Sequence, residues 1–433
     1  CMLTFSAIKY EDDSFHERLN SYLDRKNQSS NMVAATVAKI ISEVRTNGDN
    51  ALKSFTKDFD NFDCNNFLMS QQEFEQASND VDHELIESLE FAFENISNYQ
   101  SKCYESLNLE PPNDDVKRKF RVIDSVGMYI PGGQASYPST VLMAAAPALA
   151  CGVRDISITT PARNGILNSL TIAAAKVAGV NKIYKIGGAQ AIAALALGTD
   201  QVSKVDKIIG PGNAFVAEAK KQLFGEVGID SIAGPSEIVI LADDTSDPET
   251  IAWDLMAQSE HDSDASAVMI SSSDKLIDEV KKIINKEIVS LQRHQIIKDA
   301  IESNGLFISI NDLGQAQEII NRIAPEHLHI AFDHNHYEEE GSLVAGLIMK
   351  GKDSAISLSD YVLGPSHILP TNSSSRFSSP LSVEDFLISY SYVSLKKNKD
   401  INQFKEYVDH TSKIARAEGL TAHAIAAEKR LNI

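Results

Sequence analysis

Cysteine is scarce: Cys1, Cys64, Cys103 and Cys151 are the only four in 433 residues. Their spacing makes neither a zinc knuckle nor a CxxC redox pair, and reduced thiols in a cytoplasmic protein are the simplest account. Cys151 sits among small apolar residues, with no basic neighbour before Arg154 to lower its pKa. It therefore reads as core rather than as a nucleophile. No run of about 18 apolar residues exists, which excludes a helical membrane span. The N-terminus has no basic segment followed by an apolar one, so no signal peptide is expected. Basic charge is also short: 40 Lys and Arg against 60 Asp and Glu give a formal charge of −20. Nucleic acid and anionic membrane surfaces repel such a chain, which points instead to a small-molecule ligand. A full GxGxxG fingerprint is missing, and no repeat of about 20–50 residues is evident.

What remains is an ordinary globular composition, 43% apolar and 23% charged, on a chain long enough for two or three domains. Residues 1–115 read as mostly helical, with apolar positions at helical spacing over 34–44 and 84–96. Pro111-Pro112 followed by Asn113-Asp114-Asp115 marks a loop and boundary. Beyond Lys117, residues 120–130 read as extended. Strands at 155–160, 182–186 and 207–209 then alternate with helices at 139–151, 167–178, 191–197 and 214–224. Strands at 237–242, 267–271, 306–310 and 328–332 alternate with helices at 248–259, 275–288 and 313–323. Such alternation means parallel βαβ units, and the nearly all-apolar strands suit sheets covered on both faces. Residues 371–380 form a polar Ser-rich loop, and the tail from Val383 to Ile433 reads as largely helical.

Several polar groups stand out against this frame. Glu326 and His327 are adjacent in an apolar setting, where two proton-transfer groups suit chemistry with two proton steps. The structural alternative is that Pro325 opens a helix with Glu326 in its first turn. Strand-end glycine turns at Pro131-Gly132-Gly133, Gly187-Gly188-Ala189-Gln190 and Gly210-Pro211-Gly212-Asn213 could admit a phosphate to a helix N-terminus, with Asn213 as an N-cap. They could equally be tight turns. Gln258 and His261 share a face at the end of a long helix and could chelate a metal or simply finish that helix. Asp360 and His367 lie in a Pro- and Gly-shaped loop, as turn caps or functional groups. Glu418 and His423 flank a helix break at Gly419.

Seven ordered runs resemble the histidinol dehydrogenase family: 127–133, 186–192, 209–213, 233–237, 258–262, 324–328 and 418–423. The resemblance implies a zinc enzyme, one Zn2+ per subunit, that takes L-histidinol through histidinal to L-histidine with two NAD+. That is the last step of histidine biosynthesis. It implies Gln258, His261, Asp360 and His423 as the zinc ligands and Glu326 and His327 as the acid–base pair. Ser236, His367 and Glu418 would hold the substrate together with the ligands and the pair, while Tyr129, Gln190 and Asn213 would contact NAD. It implies a homodimer whose tails intertwine, so that Glu418 and His423 serve the other subunit's site. The expected architecture is α/β, with two Rossmann-like parallel-sheet domains and helical segments at both ends. The expected boundaries are 1–25 for an N-terminal helical segment, 26–128 with 237–378 for a discontinuous α/β domain, 129–236 for an inserted NAD-contacting domain and 379–433 for a helical dimerisation tail. Asn372 to Ser375 and Pro380 depart from the family's glycine-rich pattern there, which implies a reshaped loop near His367. Two other readings fit the residues: a zinc hydrolase with Glu326 as base, and a silent dimeric protein that binds a small ligand through zinc.

Overall fold

A computed structural model describes residues 3–26, 31–107, 115–132, 137–333, 342–396 and 399–432. The boundary loop expected at Pro111-Pro112-Asn113-Asp114 and the glycine Gly133 lie outside the described residues. The chain divides into two units, Cys1–Ser106 with Val122–Phe386, and Leu107–Arg121 with Leu387–Ile433.

The first unit opens with β1 (Ala7–Lys9), α1 (Phe15–Lys26), α2 (Asn31–Asn47), α3 (Asp49–Asp60), α4 (Gln71–Asn79) and α5 (His83–Ser106). The expected extended segment 120–130 is two strands, β2 (Val116–Val122) and β3 (Ser125–Tyr129), and they belong to different sheets. There follow α6 (Pro138–Cys151), β4 (Asp155–Thr159), α7 (Ser169–Val177), β5 (Lys182–Tyr184), α8 (Gly188–Leu197), β6 (Lys207–Ile209), α9 (Ala214–Leu223) and β7 (Gly228–Ile229). Strands β5-β4-β3-β6-β7 make a wholly parallel sheet. Taken in chain order they lie third, second, first, fourth, fifth. The winding reverses between β3 and β6, and in open α/β sheets that reversal leaves a ligand crevice at the strands' carboxyl ends.

A second sheet repeats the same order. It is built from β8 (Glu237–Ala242), α10 (Pro248–Ser259), β9 (Ser266–Ser271), α11 (Asp274–Glu287), α12 (His294–Asn304), β10 (Leu306–Ser309), α13 (Ala316–Ile323), β11 (His327–Ile330), β12 (Leu347–Lys350) and α14 (Ile356–Tyr361). Its order is β1-β10-β9-β8-β11-β12, again all parallel. The run Glu237–Ala242 is buried throughout because the strand feeds two cores. Ile238, Ile240 and Ala242 pack with α10 and α11, and Val239 and Leu241 with α1 and α13. The N-terminal segment, expected to be helical, thus also contributes the edge strand β1.

The second unit pairs β2 with β13 (Leu387–Val393), a strand inside the tail expected to be helical. The tail continues as α15 (Ile401–Ala417) and α16 (Thr421–Lys429), separated at Gly419, whose φ is 78°. Ser412 Oγ donates to the Ala424 carbonyl across the pair, at 3.3 Å. Among the described residues, no helix is long and apolar enough to cross a membrane.

Candidate active site

Helix α13 stops because Ala324 adopts a left-handed conformation, φ 46°, and sends its N–H back to the Ile320 carbonyl. Pro325 follows, a common place for a residue that cannot extend the helix. Glu326 sits in the bend, and His327 begins β11. The expected helix start at Pro325 is therefore a helix stop, and the Glu326–His327 pair sits where a helix gives way to a strand.

Strand pairing then brings β8 alongside, with His327 opposite Ile238. One residue, Glu237, orients both members of the pair through its backbone. Its N–H donates to Glu326 Oε2 at 2.7 Å, and its carbonyl accepts from His327 Nδ1 at 3.2 Å. On its other side His327 Nε2 lies 3.3 Å from Asp360 Oδ1, while Glu326 Oε2 is 3.7 Å from Nδ1. Glu326 and His327 are only 6% and 3% exposed. Burial pushes the Glu326 carboxyl above its usual range. Burial also opposes a charged His327, but the flanking Glu326 and Asp360 carboxylates outweigh it and hold the imidazole at about 10. Burial likewise opposes a charged Asp360, yet the His327 hydrogen bond and charge win and keep it below the usual carboxylate range. The result is a proton held between two carboxylates in a nearly dry pocket. Ser236, half-buried, directly precedes Glu237, and its carbonyl accepts from Ser266 N–H at 2.9 Å.

His367 is fixed in a neutral form. Its Nδ1 donates to the Asp360 carbonyl at 2.9 Å, and Nε2 lies 3.1 Å from Thr140 Oγ1. Burial holds its pKa below the ordinary histidine value. Thr140, from the first turn of α6, carries no motif signal and was not singled out in the sequence. Gln258 ends α10, which packs against α14, the helix that carries Asp360. Gln258 Oε1 is buried without a hydrogen-bond donor, and Asp360 Oδ1 is buried with only the 3.3 Å approach of His327 Nε2. His261 follows the helix end, with an exposed side chain. Desolvation lowers its pKa against the opposing pull of Asp360. Among the described residues, no three His, Cys, Asp or Glu side chains are grouped to hold a metal. Gln258 falls outside those residue types. An orphaned buried amide oxygen, a buried carboxylate and an imidazole in electrostatic reach of it suit a cation with N and O ligands. Cys151 is spent in the core: its thiol donates to the Val383 carbonyl, and burial lifts its pKa to about 12.

The described residues of the turns expected to meet a cofactor lie at the carboxyl edge of the five-stranded sheet. Tyr129 ends β3, and its hydroxyl accepts from Gly188 N–H at 3.1 Å. Burial raises that phenol to about 12. Gln190, in the first turn of α8, is buried with Oε1 unpartnered. Asn213 caps α9 as expected, its side chain accepting from Phe215 and Val216 N–H. Gly210 has φ 108°, and a Cβ there would meet the Tyr129 carbonyl at 2.2 Å, so only glycine fits. Its peptide is gripped from both sides. Lys220 Nζ donates to the Gly210 carbonyl at 3.0 Å, and the Gly210 N–H donates to Asp230 Oδ2 at 2.8 Å. Lys220 and Asp230 form a buried ion pair, their side chains 1% and 4% exposed. From Asp230 the chain reaches Glu237 in seven residues, which carries it from the carboxyl edge of one sheet to the amino edge of the other.

Glu418 and His423 belong to the second unit. Glu418 caps the C-terminus of α15, and His423 lies in the first turn of α16; both are exposed.

A family model described as histidinol dehydrogenase matches residues 23–431. A histidinol dehydrogenase of Oceanobacillus iheyensis is 45% identical over 393 residues, which cover 90% of this chain and 91% of that protein. One from Methanocaldococcus jannaschii is 40% identical over 434 residues, covering 99% and 100%. A crystal structure of histidinol dehydrogenase from Elizabethkingia anophelis superposes with a TM-score of 0.92 at 30% identity, covering 100% of this chain and 99% of that one.

Proposed function

The chain belongs to the histidinol dehydrogenase family, and on that premise we propose that it oxidises L-histidinol to L-histidine through histidinal, with two NAD+ and one zinc per subunit. The balance is alcohol plus water plus two NAD+ to carboxylate, two NADH and three protons. The observation that carries this reading is the buried Glu326–His327 pair, oriented by a single backbone residue and set against Asp360.

His327 must first give up the proton that faces Asp360; the neutral ring, its Nδ1 committed to the Glu237 carbonyl, then takes the hydroxyl proton at Nε2 as the first hydride leaves. Glu326 then draws a proton from the water that adds to the aldehyde, which prepares the second hydride loss. Its burial favours the protonated form, which makes the carboxylate a stronger base than one in water. His367, held neutral, presents a fixed polar face, and Ser236 stands beside the pair. The pocket's dryness shields the aldehyde from loss. Gln258, His261 and Asp360 would hold the zinc with His423 of the partner subunit. When bound, that ion would anchor and orient the substrate's imidazole and amine. Tyr129, Gln190 and Asn213 would line the NAD crevice at the sheet's reversal point.

Purified protein given histidinol and NAD+ should form two reduced nicotinamides per histidine, lose activity to a chelator and regain it with zinc. Hydrolysis without nicotinamide reduction would favour the hydrolase reading, in which the strand-end turns are idle. Binding without turnover would favour a silent ligand-binding protein. The proposed homodimer is supported by the apolar side chains that the second unit exposes, among them Ile414, Tyr407, Leu420 and Ile425. Mixing a His261→Ala chain with a His423→Ala chain should restore part of the activity, because one of the two sites in a mixed dimer would have a complete ligand set. A mixture as inactive as its parts would overturn the shared site.

A further inference from the structure

The catalytic pair hangs from the end of α13, and a helix end leaves carbonyls without intrahelical partners. Here five consecutive carbonyls ahead of Glu326 all receive donors from one short stretch of the Ser-rich loop. Arg376 Nη2 donates to the carbonyls of Asn321 at 2.5 Å and Arg322 at 2.8 Å. Ser373 Oγ donates to Ile323 at 2.6 Å, and Ser375 Oγ lies 3.0 Å from both the Ala324 and the Pro325 carbonyls. The same loop grips the other strand start. Thr371 Oγ1 accepts from Gly234 N–H at 2.6 Å, three residues before Glu237. Gly234 runs so close to the Asn372 amide that a Cβ would fall 2.1 Å from it. Asn372 and Ser373 pass through left-handed φ of 52° and 61° to make these contacts. Non-glycine residues keep that conformation only where the surroundings over-determine it.

We propose that residues 371–376 form a positioning clamp that fixes the starts of β8 and β11 against each other, and so sets Glu326 and His327 on the Glu237 backbone. Thr371, Ser373, Ser375 and Arg376 are its positioning residues; none of them touches the reacting atoms. Glycine at 373 or 375 would supply no side-chain donor, so these two serines are the grip itself. The inference rests on the dehydrogenase reading for its kinetic consequence and on geometry alone for its structural one.

The test is the full-length, zinc-loaded Ser375→Ala/Arg376→Met double variant, with Ser375→Thr as the conservative control. Loss of the grip should lower kcat for histidinol and for histidinal about tenfold or more, as small misplacements of reacting groups do. The KM for histidinol should stay within about twofold, because Gln258, His261 and His367, which would carry most of the ground-state grip, lie outside the clamp. Zinc content should be unchanged, and Ser375→Thr should keep the wild-type rate. Hydrogen exchange at the amides of Glu237, Glu326 and His327 should quicken in the double variant. An unaltered kcat in the folded double variant, or a kcat loss matched by loss of zinc, overturns the clamp. Unaltered exchange overturns it even if the wild type fails to oxidise histidinol, a failure that would count against the dehydrogenase reading alone.

Discussion

His327→Asn should lower histidinol turnover by about 10²–10⁴-fold, the range for losing a positioned general base, while added histidinal is still oxidised. An asparagine amide can still donate to the Glu237 carbonyl that now accepts from Nδ1, so the strand start keeps its register. Glu326 keeps its own anchor on the Glu237 N–H. What disappears is Nε2, the ring nitrogen that exchanges the hydroxyl proton. A second effect follows from charge. The His327 imidazolium lowers the Glu326 pKa against the burial that raises it. Without that cation Glu326 stays protonated to higher pH, so the remaining histidinal oxidation should require a more alkaline medium than in the wild type. Measuring both half-reactions across pH separates these statements. Equal loss of both oxidations at every pH would refute the division of labour between the two residues.

Lys220→Met should both destabilise the fold and weaken cofactor binding. It leaves Asp230 buried and uncompensated, and breaking a buried pair by removing one partner costs about 3–5 kcal/mol. It also frees the Gly210 carbonyl, one half of the grip on the cofactor turn. Thermal unfolding should therefore shift to markedly lower temperature, and NAD+ binding should weaken by about tenfold, the equivalent of about 1.4 kcal/mol of lost preorganisation. Adding Asp230→Leu separates the two effects, because replacing both members of a buried pair with apolar residues is often neutral. The double variant should recover much of the stability and none of the NAD+ affinity, since neither side of the Gly210 peptide is then held. Recovery of both would mean that the pair serves stability alone.

The parallel sheets were legible because their strands are apolar on both faces. Glu237–Ala242 is such a run, and it feeds two cores. Helix caps with a local mechanism were also legible, as at Asn213 and Gly419. Other features were not. The three-residue edge strand β1 is too short to carry periodicity. The Pro325 turn misled because proline suits the start of a helix as well as the residue past its end. An alanine in left-handed conformation at 324 decides between the two, and no local pattern foretells that. In β13, isoleucine and tyrosine alternate with serine, a strand signal within a tail otherwise rich in helix formers. The candidate site residues stood out in short motifs. The groups that orient them were not, because Glu237 acts through its backbone, and Thr140, Ser373 and Ser375 through partners 50 or more residues away in sequence.

The seven-residue passage from Asp230 to Glu237 also sets a limit on motion. A fully extended chain advances at most about 3.6 Å per residue, so the turn gripped at Gly210 and the strand start that carries the catalytic pair cannot drift apart by more than roughly 25 Å along this link. The passage is a leash with both ends nailed down, one by a buried ion pair and the other by sheet pairing. Lengthening it with a few glycines would leave both anchorages intact and test whether the leash, rather than either anchor, keeps an aldehyde made at one edge within reach of a fresh nicotinamide at the other.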